Sequence, residues 1–264
     1  MRLSLLPLLR CPACHRGRLV PESDDGRRVQ FGPLTCGVCQ RGHPVTEGVV
    51  DLGPDALQSQ LSPARRAFET LAVARSWDRW IRPAVLAASG GRRLSRTTEA
   101  GLVRGLLGDP RGPILDVGCG TGALLRSLAE RTELPPLIGM DVSRRMLDEA
   151  LSLSREAGVP LTLIRAEAPE LPFGDGVLGG VVQSGSLAAM PEPEALFREI
   201  LRVLQPGARY VLLEWLRVPR LLQRRLGLVA HDAERLRTSL LRSGFTQLEV
   251  MEVRPYRIFQ MRRP

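Results

Sequence analysis

Two apolar rhythms divide the chain. From residue 112 to the C-terminus, largely apolar, strand-like runs at 114–117, 137–140, 161–164, 178–182 and 210–213 alternate with longer stretches of helical spacing. Short apolar runs bounded by turn residues read as strands covered on both faces. Strand–helix alternation predicts a parallel sheet with helices on each side. The end of the chain departs from this rhythm. A helix over 233–243 stops at Gly244, and strands at 248–253 and 257–261 follow with only a short turn at Arg254-Pro255. So short a link suits antiparallel neighbours, because a parallel return needs a crossover.

Upstream, residues 56–110 carry helical spacing. Ser62-Pro63 opens a helix, with Ser as cap and Pro in the first helical position, and the pattern carries it to residue 74. Gly90-Gly91 is a break, and a second helix is expected over 97–107. Residues 1–55 hold only short apolar runs among Cys, Gly and Pro. The expected organisation is a small module (1–55), a helical linker or lid (56–110) and an α/β domain (111–264).

Charge adds an ambiguous signal. The chain carries a formal net charge of +9, which suits a polyanionic partner such as RNA. Yet all 37 basic residues are Arg, and neither Lys nor Asn occurs. That bias fits a GC-rich genome as well as a binding surface. The apolar start is broken by Pro7 and is too short for a signal segment. No run approaches the ~20 apolar residues of a membrane span, so a soluble, cytoplasmic protein is expected.

Four of the five cysteines form two CxxC pairs, Cys11/Cys14 and Cys36/Cys39. In a chain without a secretion signal, such pairs read as metal ligands rather than disulfides. Four thiolates close a tetrahedral Zn²⁺ site, and Asp25-Gly26 suits a hairpin turn between the knuckles. A module this small buries too little surface to fold without such a staple. Reduced thiols without metal are the alternative. His43, four residues after Cys39, is a substitute ligand; His15 is less well placed.

The densest signal is ILDVGCGTG, residues 114–122. A strand runs into Gly118, Gly120 and Gly122, and a helix starts at Ala123. Such glycines let the backbone turn sharply and approach a ligand, and the helix start offers free N–H groups. Asp141, at the end of the next strand, is placed to accept hydrogen bonds from ribose hydroxyls. The spacing Gly118-x-Gly120-x-x-Ala123 also fits a dinucleotide loop. Asp116 separates the two cofactors: a carboxylate at the strand end repels a diphosphate and attracts the ammonium of a methionine moiety. S-adenosylmethionine (SAM) is therefore preferred over NAD. Asp141 has a second reading as a helix cap.

With these motifs in place, the sequence from residue 112 onward resembles the class I SAM-dependent methyltransferases, in the methyltransferase type 11 group that includes quinone-biosynthesis enzymes. ILDVGCGTG resembles the family's first motif, GMDVS (139–143) its second, RAEAPELPF (165–173) its third and FREILRVLQPGARYVLLEW (197–215) its fifth-strand region. The resemblance implies an α/β fold: a Rossmann-like, mostly parallel seven-stranded sheet with a C-terminal antiparallel hairpin, preceded here by the zinc ribbon. It implies that Gly118, Cys119, Gly120 and Gly122 lie under the cofactor, with Asp116 near its amino group. Asp141 would bind the ribose, Val142 would lie beside the adenine, and Glu167 and Ala168 would contact the base; Gln183 joins this set. A solvated loop carboxylate is the other reading of Glu167. LLRCPAC and CGVCQRGHPVTEGVVDL resemble the ribbon of rRNA guanine methyltransferases and small ribbon activators of translation-related methyltransferases. The 21-residue spacer between knuckles departs from the former.

Methyl transfer needs alignment more than covalent help, although a general base assists a protonated nucleophile. Where the family often carries a fourth-strand acid and a His pair, this chain has Gly179 and Ala188-Ala189. His231 and Asp232 are replacement candidates, set against their reading as a surface histidine and helix start. Residues 217–230 form an insertion with the composition of an amphipathic lid or a plain surface helix. Trp77 and Trp80 are expected to share a helix face as core anchors. Three functions remain open: methylation of a small or lipophilic metabolite, methylation of RNA, and SAM binding without catalysis.

Overall fold

In the computed structural model, which describes residues 1–53, 62–90, 94–130 and 134–264, the apolar runs become strands of one sheet. In chain order they are β1 (Leu19–Pro21), β2 (Gly32–Cys36), β3 (Gly42–Thr46), β4 (Val49–Asp51), β5 (Ile114–Val117), β6 (Leu137–Asp141), β7 (Thr162–Arg165), β8 (Leu178–Ser184), β9 (Leu204–Trp215), β10 (Thr246–Val253) and β11 (Tyr256–Arg262). Their order across the sheet is β1-β2-β3-β4-β7-β6-β5-β8-β9-β11-β10. Strands β7, β6, β5, β8 and β9 are parallel neighbours. The last strand, β11, slots antiparallel between β9 and β10. These seven are the Rossmann-like sheet with its C-terminal hairpin.

The sheet does not stop there. The cysteine-bearing strands β1–β4 form an antiparallel meander, and β4 pairs in parallel with β7. Apolar side chains of the ribbon (Leu9, Leu34, Val45, Val50) belong to the same buried cluster as Phe173, Leu178 and Phe197. The ribbon is therefore continuous with the main sheet and shares its core. The 55/56 boundary expected from composition lies outside the described residues.

Helices cover both faces, as the unbroken burial of β5 requires. They are α1 (Pro63–Phe68), α2 (Leu71–Ser76), α3 (Arg82–Ala88), α4 (Arg96–Leu107), α5 (Ala123–Ala129), α6 (Arg144–Glu156), α7 (Glu194–Val203), α8 (Arg220–Leu226) and α9 (Ala233–Arg242). Helices α3, α4 and α5 pack on one face with Ile114, Val182 and Val211. Helices α7 and α9 pack on the other with Tyr210 and Leu212. Among the described residues, no helix is long and apolar enough to cross a membrane.

The expected helix over 64–74 is two helices. Thr70 divides them, its hydroxyl accepting from the Val73 N–H as the cap of α2; a short hydroxyl side chain competes locally with the helical ladder. Residues Trp77–Ile81 form one π turn. That wider turn places Trp77 and Trp80 on different faces: Trp77 lines a cavity, whereas Trp80 is 64% exposed. The two therefore do not anchor the core together.

Candidate functional site

Where β5 ends, the chain must turn beneath the loop that follows β8. Gly118 has φ +71°, and a Cβ there would lie 2.4 Å from the Ser186 Cβ, so only glycine fits. The Gly118 and Cys119 N–H groups donate to the Met140 carbonyl (2.8 and 3.0 Å), and the Gly120 N–H donates to Asp141 Oδ2 (2.8 Å). The glycine loop is thus tied to the end of β6. Above it opens a cavity lined by Asp116, Gly118, Cys119, Gly120, Asp141, Val142 and Ala168 among others. It sits at the carboxyl ends of the parallel strands, where open α/β sheets bind ligands.

Asp116 is the electrostatic oddity of this cavity. It is 2% exposed, and its Oδ1 has no hydrogen-bond partner among the described residues. Burial, followed by repulsion from Glu99 and Asp141, pushes its carboxyl up to about 8. A buried carboxylate without a partner is costly, and a cationic ligand entering the cavity would relieve that cost. Burial also raises the Asp141 carboxyl, against the hydrogen bonds it accepts from the Ser143 and Gly120 N–H groups. Asp141 is not the cap of α6; Ser143 is, accepting from the Met146 N–H.

Several expected site residues lie elsewhere. Gly122 starts α5 and faces Leu161 and Ala150 rather than the cavity. Glu167 is not among the residues lining it and instead lines a groove shared with Arg41 and His43 of the ribbon. Gln183 is wholly buried; its amide donates to Ser186 Oγ (3.0 Å), and its carbonyl accepts from the Tyr210 hydroxyl (2.6 Å). Gln183 thereby sets the serine over Gly118 without lining the cavity. His231 Nε2 donates to the Leu187 carbonyl (3.2 Å), and Asp232 caps α9 by accepting from the Arg235 N–H. Neither lines the cavity. Gly179, at the entry end of β8, packs so closely on Gly112 that a Cβ would meet its backbone N at 2.3 Å. A carboxylate missing there is not missing from the cavity.

Residues 114–207 match the methyltransferase domain family. This segment is a methyltransferase domain. An uncharacterized chloroplastic methyltransferase of Arabidopsis thaliana is 26% identical over 222 residues, which cover 77% of this chain and 60% of that protein. A demethylmenaquinone methyltransferase of Symbiobacterium thermophilum is 36% identical over 112 residues, 40% of this chain and 43% of that protein. The chain thus spans about half the length of these relatives. In fold, it resembles a SAM-dependent methyltransferase from Aquifex aeolicus, with a TM-score of 0.55 at 18% identity over 73% of this chain and 97% of that one.

Next to the matched segment lies a buried polar network that motif reading missed. Glu99 of α4 is fully buried; Arg82 Nη2 donates to it and to the Tyr256 hydroxyl (2.6 Å), and Ser184 Oγ donates to its Oε1 (2.7 Å). Arg96 donates to Asp78 (2.5 Å), which also accepts from the Thr121 hydroxyl (2.6 Å). Arg82, Arg96 and Ser184 line the cavity. One signal was available in the sequence: Glu99 falls on the stripe of Val103 and Leu107, the buried side of α4. The rest depends on contacts between residues up to 174 positions apart.

A second cluster lies in the ribbon. The sulfurs of Cys11, Cys14, Cys36 and Cys39 all lie within 4.8 Å of one another, with Cys11–Cys39 and Cys14–Cys36 each at 3.7 Å. A regular tetrahedron with metal–sulfur bonds of about 2.3 Å has edges of about 3.8 Å, so this set could hold a metal ion. The N–H groups of Val38 and Cys39 donate to Cys36 Sγ (3.4 Å each), and that of Gly17 donates to Cys14 Sγ (3.4 Å). Such donors favour thiolates. Hydrogen bonds from the backbone of Arg16 and Gly17 draw the Cys14 thiol down to about 6. The four sulfurs form the set without His43, whose Nε2 lies 3.4 Å from Cys11 Sγ as an outer partner.

Proposed function

We propose that the protein transfers a methyl group from SAM to a small or lipophilic acceptor. The unpartnered buried carboxylate of Asp116 facing the cavity carries this reading. It suits an ammonium and disfavours a diphosphate. In this assignment Asp116 takes the cofactor's amino group, Asp141 the ribose, and Val142 and Ala168 flank the adenine over the Gly118–Gly120 backbone. Glu167, Gln183 and Gly122 receive no direct cofactor role. When bound, SAM supplies an electrophilic methyl group on a sulfonium.

The chain's own contribution is alignment and exclusion of water. The cavity brings the glycine loop, the end of β6 and the loop after β8 around one opening. Trp77, Met190, Trp215 and Leu228 contribute apolar surface to the lining, which suits a lipophilic acceptor, in keeping with the quinone named in one relative. The ionisable residues of the lining are Arg82, Arg96, Asp116, Cys119 and Asp141. With both carboxylates assigned to the cofactor, the acceptor must arrive as a ready nucleophile, and the rate would come from positioning. The apolar lining, which includes Leu228 from the 217–230 insertion, favours a small lipophilic acceptor over RNA. The ribbon is assigned a structural Zn²⁺ on its four cysteines.

The test is calorimetry with S-adenosylhomocysteine and with NADH, followed by labelled SAM in fractionated cell extract. Homocysteine-ligand binding, with label passing into the small-molecule fraction, is expected. NADH binding without retention of either SAM or its product overturns the cofactor assignment; label in RNA overturns the acceptor class.

A further inference from the structure

The ribbon touches the cavity wall through the segment joining β7 to β8. Residues 165–174 carry Ala166 and Ala168, both lining the cavity, and the ribbon grips this segment at both ends. At its start, the Leu52 N–H donates to the Arg165 carbonyl (2.8 Å), and Arg165 Nη1 pairs with Asp51 Oδ2 (2.9 Å). At its end, the Arg10 N–H donates to the Pro172 carbonyl (3.0 Å), the Gly174 N–H donates to the Leu8 carbonyl (2.8 Å), and Leu9 bridges Phe173. Helix α7 holds the far end as well, through Arg202 to the Leu171 and Phe173 carbonyls. The near end is held differently, by a chain of contacts that reaches the cavity. The same guanidinium that pairs with Asp51 donates from Nε to the Val142 carbonyl (3.1 Å), and Val142 lines the cavity. Asp51 is itself steadied by the Gly53 N–H (3.1 Å).

We propose that Asp51 and Arg165 are positioning residues for the cofactor. The ribbon carboxylate aligns the guanidinium, the guanidinium fixes the Val142 carbonyl, and this holds the adenine end of the cavity in shape. An Arg–carboxylate pair can do this because the planar guanidinium presents donors in fixed directions to two acceptors at once. Both side chains are largely shielded, at 13% and 22% exposure for Arg165 and Asp51, so solvent does not erase the pair. The ribbon is then a working part of the site as well as an attachment to it. This inference rests on the SAM assignment above.

Calorimetry on the full metal-loaded chain separates the two claims, using S-adenosylhomocysteine and adenosine as probes. Asp51→Asn and Arg165→Gln are each expected to weaken both ligands by the same factor, roughly tenfold, because only the adenine end is disturbed. Asp116→Asn is expected to weaken S-adenosylhomocysteine and leave adenosine unchanged. The Asp51→Asn/Arg165→Gln double variant should bind no worse than Arg165→Gln alone, as for groups acting in series. If Asp51→Asn loses its fold by circular dichroism, Arg165→Lys takes its place: it keeps the charge but cannot serve both acceptors, and the same loss on adenosine is expected. Wild-type affinity for adenosine in the folded variant, or additive losses in the double variant, overturns the proposal. Failure of the wild-type chain to bind either probe refutes the cofactor assignment itself, and this inference with it.

Discussion

Replacing Asp116 by Asn separates ligand binding from folding. In the free protein, burial and two neighbouring carboxylates hold this carboxyl near pH 8. At pH 7 it is therefore protonated about ten to one, and pairing with an ammonium first requires ionisation at a cost of about 1.4 kcal/mol. Breaking a buried ion pair by removing one partner costs roughly 3–5 kcal/mol. The net expectation for Asp116→Asn at pH 7 is a loss of about 2–4 kcal/mol, or ~30- to ~1000-fold in affinity for S-adenosylhomocysteine. The sign with pH follows from the raised value. Binding releases a proton, so wild-type affinity rises about tenfold per pH unit between pH 6 and 7.5 and levels off toward 8. Stability runs the other way. A carboxyl raised in the folded state contributes fully below its unfolded value near 3.9 and loses that contribution as pH rises through 8. The isosteric, uncharged Asn should accordingly make the free protein more stable at pH 8, by on the order of a few kcal/mol. Calorimetry in two buffers of different ionisation enthalpy counts the proton, and urea unfolding reads the stability. Affinity within threefold of wild type, or binding that releases no proton at pH 6.5, would refute the reasoning.

Three further outcomes follow from the same structure. Glu214 is the second buried carboxylate without a partner among the described residues, raised by burial to about 8, but it does not line the cavity; Glu214→Gln should raise the thermal midpoint at pH 8 and leave S-adenosylhomocysteine affinity unchanged, as calorimetry would report. Glu99→Ala strands the buried Arg82 and should cost about 3–5 kcal/mol in urea unfolding, with Glu99→Gln less damaging. Removing metal with a chelator, or substituting Cys36→Ser, should lower the thermal midpoint and release about one zinc per chain by elemental analysis; an unchanged midpoint would count against a structural metal.

Local patterns reached far into this protein. The strands at 114–117, 137–140 and 178–182 were legible because a strand covered on both faces is largely apolar, with Asp116 as the exception at the site. The glycine loop was legible because Gly118 sits at a positive φ with Ser186 against it, and the Cys pairs because bringing four sulfurs within 4.8 Å of one another suits two closely spaced pairs. Where local rules failed, a local competitor had won. The Thr70 hydroxyl capped a new helix inside an apparently continuous one, and a π turn rotated Trp80 away from Trp77. Motif position did not foretell the surroundings of Gln183 and Glu167, the first bonded to Tyr210 and Ser186 and the second lining the ribbon groove.

The sequence alone determined the alternation of strand and helix, the antiparallel finish, the glycine turn with its strand-end acid, and the two thiol pairs. Each depends on residues within a few positions of one another, where chain geometry leaves little choice. Only the tertiary structure decided that the ribbon extends the main sheet through β4 and β7, that Arg82, Glu99, Ser184 and Tyr256 form one network, and that Asp51 reaches Val142 through Arg165. Those contacts join residues tens to hundreds of positions apart. Their energetics come from desolvation and from matching donors to acceptors across packed elements, and no spacing along the chain records either.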